Sequence, residues 1–149
     1  MQNKINNIKE VSLRINLGTR PIFGHGKAKL LEAIEKFGSI SAAARNINMS
    51  YRRAWLLTDS MNKNFVSPLI ESSLGGKGGG GAKLTKEGKK VLKLFRDMEL
   101  KAQNSLVKEK INFSKLISNN PGNIEDENKN EEIILFSVDI RYIPSYISK

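Results

Sequence analysis

Hydrophobic positions change period several times along the chain, and each change marks an element. From Val11 to Leu17 the alternation is strict, with Val11, Leu13, Ile15 and Leu17 on one side and Ser12, Arg14 and Asn16 on the other. That is the period of a half-buried strand. Gly18 to Pro21 reads as a turn. Between Gly26 and Phe37 the apolar residues Leu30, Leu31, Ile34 and Phe37 fall at three- and four-residue spacing, which predicts a helix with one apolar face, and Gly38 stops it.

Ser39 is placed to cap a short second helix through Ala42, Ala43 and Ala44 to about Asn46, because a serine hydroxyl accepts from the free amides of a first turn. Asn46 to Met49 forms a four-residue turn whose Ile47 and Met49 plug into the core. Ser50 then caps a third helix, Tyr51 to about Phe65, striped by Ala54, Thr58, Met61 and Phe65, with Pro68 beyond it. Leu69 to Ser73 and Ala82 to Leu84 are short strand candidates on either side of GGKGGGG, a long hairpin tip. Thr85 caps a last helix of roughly 25 residues, striped by Val91, Phe95, Met98, Ala102 and Leu106 among many lysines. So long a helix outruns what three short helices cover, so the stripe predicts a partner chain.

Beyond this helix the pattern thins. Asn119 to Glu132 (NNPGNIEDENKNEE) has the composition of a solvated linker, and from Ile134 to Tyr142 the residues Ile134, Phe136, Val138, Ile140 and Tyr142 alternate with Leu135, Ser137, Asp139 and Arg141, a strand pattern. The expected organisation is therefore one folded domain over 1–112, a polar acidic linker over 113–132 and a strand-like segment over 133–149. That last strand needs an edge to pair with, and the sheet containing Val11 to Leu17 is the expected one. The expected fold class is mainly α with small β, an α+β chain.

Charge sharpens the picture. The 149 residues carry 25 Lys and Arg against 15 Asp and Glu. Residues 1–110 hold 21 of the basic and 9 of the acidic side chains, a net of +12, whereas residues 111–149 hold 4 and 6, a net of −2. A basic surface confined to the first part points to a polyanionic partner. Cysteine is absent and His25 is the single histidine, so neither disulfides nor a thiolate or imidazole metal site is expected, and no cofactor is implied. No apolar run approaches a membrane span, and the N-terminal MQNKINNIKE lacks a secretory centre, so the expected location is cytoplasmic, without a membrane partner.

Two short helices, a four-residue turn and a glycine-tipped hairpin follow the order of a winged helix-turn-helix. The alanine triplet suits it, since bulkier side chains would push the first two helices apart. On the third helix, Arg52, Leu56, Asp59, Ser60 and Lys63 oppose the Ala54 stripe, with Arg53 on the flank. The first residues of such a helix reach base edges in the major groove, where an arginine pairs bidentately with guanine. Ser50, Tyr51, Arg52 and Arg53 hold those positions, and Ser39 holds the equivalent start of the second helix. Taken alone the two arginines would be a solvated helix face; their place in the motif makes them the candidate readers. Tyr51 and Trp55, four apart, serve either for packing on the first helix or for contact with DNA. At the glycine-rich tip Lys77 and Lys83 supply charge to phosphates, against the alternative of a loop without a role. A phosphate-cradling loop is excluded, because Lys77 is followed by Gly78 and Lys27 by Ala28 where Ser or Thr is required. Gly24, His25 and Gly26 read as a turn, and no nucleophile, base and orienting group come together, so an enzyme is not expected.

The run GHGKAKLLEAIEKFGSISAAARNINMSYRRAWLLTDSMN, with GGKGGGGAKLT after it, closely resembles the N-terminal DNA-binding domain of the ModE family of molybdenum-responsive transcriptional regulators, a domain related to the LysR-type winged helix. The resemblance covers about residues 11–110. It implies a homodimer on palindromic double-stranded operator DNA, with Tyr51, Arg52 and Arg53 on the recognition helix, Lys77 on the wing and the long helix in the dimer interface. Family members also carry a C-terminal pair of molybdate-binding modules marked by a SARN-type loop. No such loop follows Leu106, so molybdate is not the expected ligand. The alternatives are an oxyanion-responsive regulator with its effector at the dimer interface or in the C-terminal segment, and a winged helix that docks protein. The basic first part favours DNA over the latter.

Overall fold

The structure, a computed structural model, describes residues 10–75 and 80–117. Lys77 and the strand pattern of Ile134 to Tyr142 lie outside the described residues. The described elements run β1 (Arg14–Leu17), β2 (Arg20–Gly24), α1 (His25–Phe37), α2 (Ile40–Asn46), α3 (Tyr51–Asn64), β3 (Ile70–Ser72), β4 (Ala82–Leu84), α4 (Lys86–Ser105) and α5 (Val107–Ser114).

The first strand finds its partner at once. Gly18 sits at φ 61, left-handed backbone that glycine adopts freely, and with Thr19 makes a tight turn that returns the chain as β2, antiparallel to β1. The expected turn from Gly18 to Pro21 is thus corrected, since Arg20 and Pro21 already belong to the second strand. Ile15 faces Phe23 and Asn16 faces Pro21, so Ile22 is an extra residue in a bulge. Pro21 has no N–H to give to a ladder and suits such a place. Gly24 then ends the strand and His25 begins α1, where a turn had been expected through Gly24, His25 and Gly26.

Leu30, Leu31 and Ile34 are wholly buried on one face of α1. Its end is set by Gly38 at φ 71, whose N–H donates to Ile34 O at 2.9 Å. Ser39 caps α2, accepting from Ala42 N–H at 3.1 Å. Ala43 and Ala44 are buried against α1, where short side chains let the helix backbones approach. The turn between α2 and α3 passes through Asn48 at φ 53, and Met49 N–H donates to Ala44 O at 2.9 Å. Ser50 caps α3, accepting from Arg53 N–H at 3.2 Å, and Ala54, Thr58 and Met61 turn inward as the stripe requires.

β3 and β4 form the wing in register Ile70 to Leu84, Glu71 to Lys83 and Ser72 to Ala82. The carbonyl of Gly38 accepts from Ala82 N–H at 2.8 Å, so the residue that stops α1 also anchors the wing. Thr85 Oγ1 accepts from Gly88 N–H at 2.9 Å and donates to Pro68 O at 2.8 Å, starting α4 and fixing it to the segment that leads into β3. Three aromatic rings knit the core: Phe23 meets Phe95 edge-on at 5.0 Å between centroids and Phe65 at 6.0 Å.

The last helix differs from expectation in two ways. It breaks at Leu106, and α5 carries helix through Ser114, past residue 112 where a boundary had been drawn. The stripe of Val91, Phe95, Met98, Ala102 and Leu106 is also not free as a whole. Phe95 is 1% exposed against Phe23 and Val91 packs on the same core. The outward edge of α4 instead carries Leu94 and Met98, 55% and 44% exposed. A long amphipathic helix has two flanks to its stripe, and here one of them closes the chain's own core. No helix among the described residues is long and apolar enough to cross a membrane.

Candidate nucleic-acid interface

The candidate residues stand on three segments: the starts of α2 and α3, and the wing. The Ser50 cap fixes where the helix begins, and its first residues carry large side chains outward: Tyr51 is 58% exposed, Trp55 49% and Leu56 51%. Neither Tyr51 nor Trp55 is buried by packing on another helix. Arg52 and Arg53 are exposed as well, and among the described residues no carboxylate forms an ion pair with either. Further along, Lys63 Nζ is held 2.7 Å from Asp59 Oδ2 one turn earlier, so its charge is already matched. The open cations of α3 are therefore at its beginning.

Ser39 holds the start of α2, its hydroxyl half-buried and engaged by Ala42 N–H and by Ser41 Oγ at 3.4 Å. On the wing Lys83 points to solvent from β4, with Nζ 3.5 Å from Glu71 Oε2 across the ladder. An exposed pair of this kind contributes little and is readily exchanged for a phosphate contact. Before the tip, Ser73 N–H donates to Gly81 O at 2.9 Å, and a Cβ on Gly80 would stand 2.6 Å from Ser73 O. The two arms of the wing leave no room for a side chain there.

Several residues that hold the surrounding elements together carry no signal in the hydrophobic pattern. Asn62 Oδ1 accepts the N–H groups of Leu69 and Ile70, tying α3 to the wing. Arg96 on α4 forms a bidentate pair with Glu32 on α1, both contacts 2.7 Å, and also engages Glu99; hydrogen bonding to Glu32 is the main cause that holds its pKa above the usual arginine value. His25 Nδ1 lies 3.1 Å from Glu99 Oε1 and 3.4 Å from Glu10 Oε1. Lys27 donates to Ile22 O at 2.7 Å and to Ser60 Oγ at 3.3 Å, and burial, with Arg20 adding to it, lowers its pKa. An isolated Asn, Arg or Lys within a helix reads as surface until the fold places its partner. Among the described residues no group of three or more Asp, Glu or His side chains could hold a metal ion.

A helix pair joined by a tight turn, followed by a two-stranded wing and a long helix, makes this a winged helix-turn-helix protein. Comparison with known proteins finds relatives in sequence. The chain is 36% identical over 99 residues to the molybdenum transport protein ModE of Azotobacter vinelandii, a match covering 66% of this chain and 36% of that protein. It is 38% identical over 90 residues to the transcriptional regulator ModE of Haemophilus influenzae, covering 60% and 35%. To the DNA-binding transcriptional dual regulator ModE of Escherichia coli it is 36% identical over 86 residues, covering 58% and 33%. These matches relate the chain to the ModE regulators, and it spans about a third of the length of the curated relatives it matches. Among solved structures, ArgP from Mycobacterium tuberculosis aligns with 58% of this chain and 30% of its own, at 19% identity and a TM-score of 0.43. No family model matches the chain.

Proposed function

We propose that the chain is a sequence-specific DNA-binding transcriptional regulator that acts as a homodimer on palindromic operator DNA. The observation that carries this reading is the start of α3, where Ser50 caps the helix and Arg52 and Arg53 in its first turn are both exposed and without an acidic partner among the described residues. Arg52 and Arg53 read base edges, and Tyr51 stacks or hydrogen-bonds beside them. Ser39, Ser50 and the wing residues Lys77 and Lys83 contact phosphates, which position the helix without reading sequence. Symmetry follows from a second copy packed on the outward edge of α4, through Leu94 and Met98 flanked by Ala102 and Leu106, with the half-buried Val91 at its border. Two recognition helices then enter major grooves about one helical turn, roughly 34 Å, apart. The names of the relatives support the DNA-binding part of this reading.

Selection of bound sites from random duplex DNA tests it. Recovery of one motif with two-fold symmetry is the expected result, and recovery of unrelated sequences in proportion to the input would contradict it.

A second reading, an oxyanion-responsive regulator, is favoured by the molybdenum in the name of a relative. Operator affinity in molybdate against an equal concentration of sulfate, at fixed ionic strength, separates the two. Equal affinities support a regulator without molybdate control, whereas a molybdate-specific change of tenfold or more, about 1.4 kcal/mol of coupling, supports the second.

A further inference from the structure

The β1–β2 hairpin, the N-terminus of α1 and one flank of α3 enclose a cleft of about 590 Å³. Arg14 from β1, Lys27 from the first turn of α1 and Arg53 from α3 all line it, with Ser12 and Ser60 beside them. None of the described lining residues is Asp or Glu.

The backbone gathers these charges. Arg14 stands in register with Gly24, and Gly24 is the N-cap of α1. That cap offers no side-chain hydrogen bond, and the first turn of α1 contains no acidic residue. The first amides of a helix carry a positive partial charge, which no side chain of this first turn balances. The bulge at Ile22 supplies the carbonyl that holds Lys27 Nζ at 2.7 Å, and Ser60 holds it from α3. Arg20, on the same hairpin, adds to the burial that already disfavours the Lys27 charge. The carboxylates that reach this corner, Glu10 and Glu99, engage His25, and Glu99 engages Arg96 too. Three cations and a helix start thus face a shared space without a described counter-charge on its wall.

We propose that this cleft binds a phosphoryl group, contacted by Arg14, Lys27 and Arg53. Two guanidinium groups, an ammonium and two serine hydroxyls on its wall offer more donors than the two oxygens of a carboxylate can accept, which suits a tetrahedral anion with several oxygens. The phosphoryl group comes either from the DNA backbone beside the reading end of α3 or from a free phosphate ester. Only the DNA source rests on the DNA-binding reading above. Arg53 belongs to both sites, so occupancy of the cleft bears directly on how α3 meets DNA.

The test uses the full chain and inorganic phosphate as probe, against chloride at equal pH and ionic strength. Saturable shifts of the Gly26 and Lys27 amide resonances are expected, with half-saturation on the order of 1 mM. Arg14→Gln should weaken that binding at least about threefold, and Arg14→Lys should restore it only in part, since an ammonium keeps the charge and loses the bidentate fork. The absence of saturable shifts in the wild-type protein, or equal binding by Arg14→Gln, overturns the proposal. Duplex titrations then assign the source. Weaker DNA binding by Arg14→Gln, with a salt slope lower by about one unit, assigns the DNA backbone, and unchanged DNA binding beside lost phosphate binding assigns a free ester. A protein that binds no duplex at all defeats the DNA-binding reading and leaves the phosphate measurement to decide the cleft.

Discussion

Asn62 and Ile70 are joined by two hydrogen bonds that close a ring: Asn62 Nδ2 donates to Ile70 O at 2.9 Å, and Ile70 N–H donates to Asn62 Oδ1 at 3.0 Å. Leu69 N–H adds a third bond to the same Oδ1, at 2.9 Å. One side chain therefore supplies what a neighbouring strand would, and it locks the end of α3 to the start of the wing. Asn62→Ala leaves three backbone groups without their partner and should cost about 1–3 kcal/mol in denaturant unfolding. Loss of no more than a few tenths would show that the ring does not bear on stability.

Phe95 and Met98, three residues apart on α4, should respond differently. Phe95 fills the core against Phe23, so Phe95→Ala should destabilise the single chain by about 3–5 kcal/mol. Met98→Glu or Leu94→Glu should leave unfolding of the chain nearly unchanged and shift sedimentation toward the monomer. If either variant stays dimeric at micromolar concentration, the second copy packs elsewhere.

Gly88 is needed for space. A Cβ there would stand 2.1 Å from the carbonyl oxygen of Leu69, whose neighbourhood Thr85 also grips through Pro68. Gly88→Ala must push α4 off the segment that leads into β3, and a loss of about 1–3 kcal/mol is expected from overpacking. A thermal midpoint equal to the wild type would contradict so close an approach.

Thr58 presents the opposite case. It lies on the buried stripe of α3, and its Oγ1 has no hydrogen-bond partner among the described residues. Replacing the hydroxyl by a methyl removes an unmatched polar group, so Thr58→Val should be neutral or stabilising. Destabilisation by more than about 1 kcal/mol would mean that the hydroxyl is satisfied after all.

Much of this fold was legible because local signals and burial agree. Ser39, Ser50 and Thr85 each stand one residue before a helix, and each accepts the backbone N–H that its position implies. Ala82 to Leu84 alternates buried, exposed, buried, as a wing strand must. The hairpin partner of β1 was missed because Arg20 and Pro21 carry turn chemistry, and a proline at a bulge imitates a break. The α4 stripe was read correctly as apolar and incorrectly as free, because periodicity reports which residues leave water without saying which chain they meet. Arg52 and Arg53 stood out from their place after a capped turn. Arg14 and Lys27 did not, since only the register with Gly24 and the bulge at Ile22 bring them to one cleft.

The central claim is that the start of α3 reads bases. The measurement that bears on it most directly is the affinity of the wild type, Arg52→Ala and Arg53→Ala for the selected operator and for random duplex, each over several salt concentrations. At least one arginine variant should lose about 1–3 kcal/mol on the operator, with a much smaller loss on random DNA and a relaxed preference at one base pair of each half-site. Equal losses on operator and random DNA for both variants would make the two arginines phosphate contacts and contradict base reading.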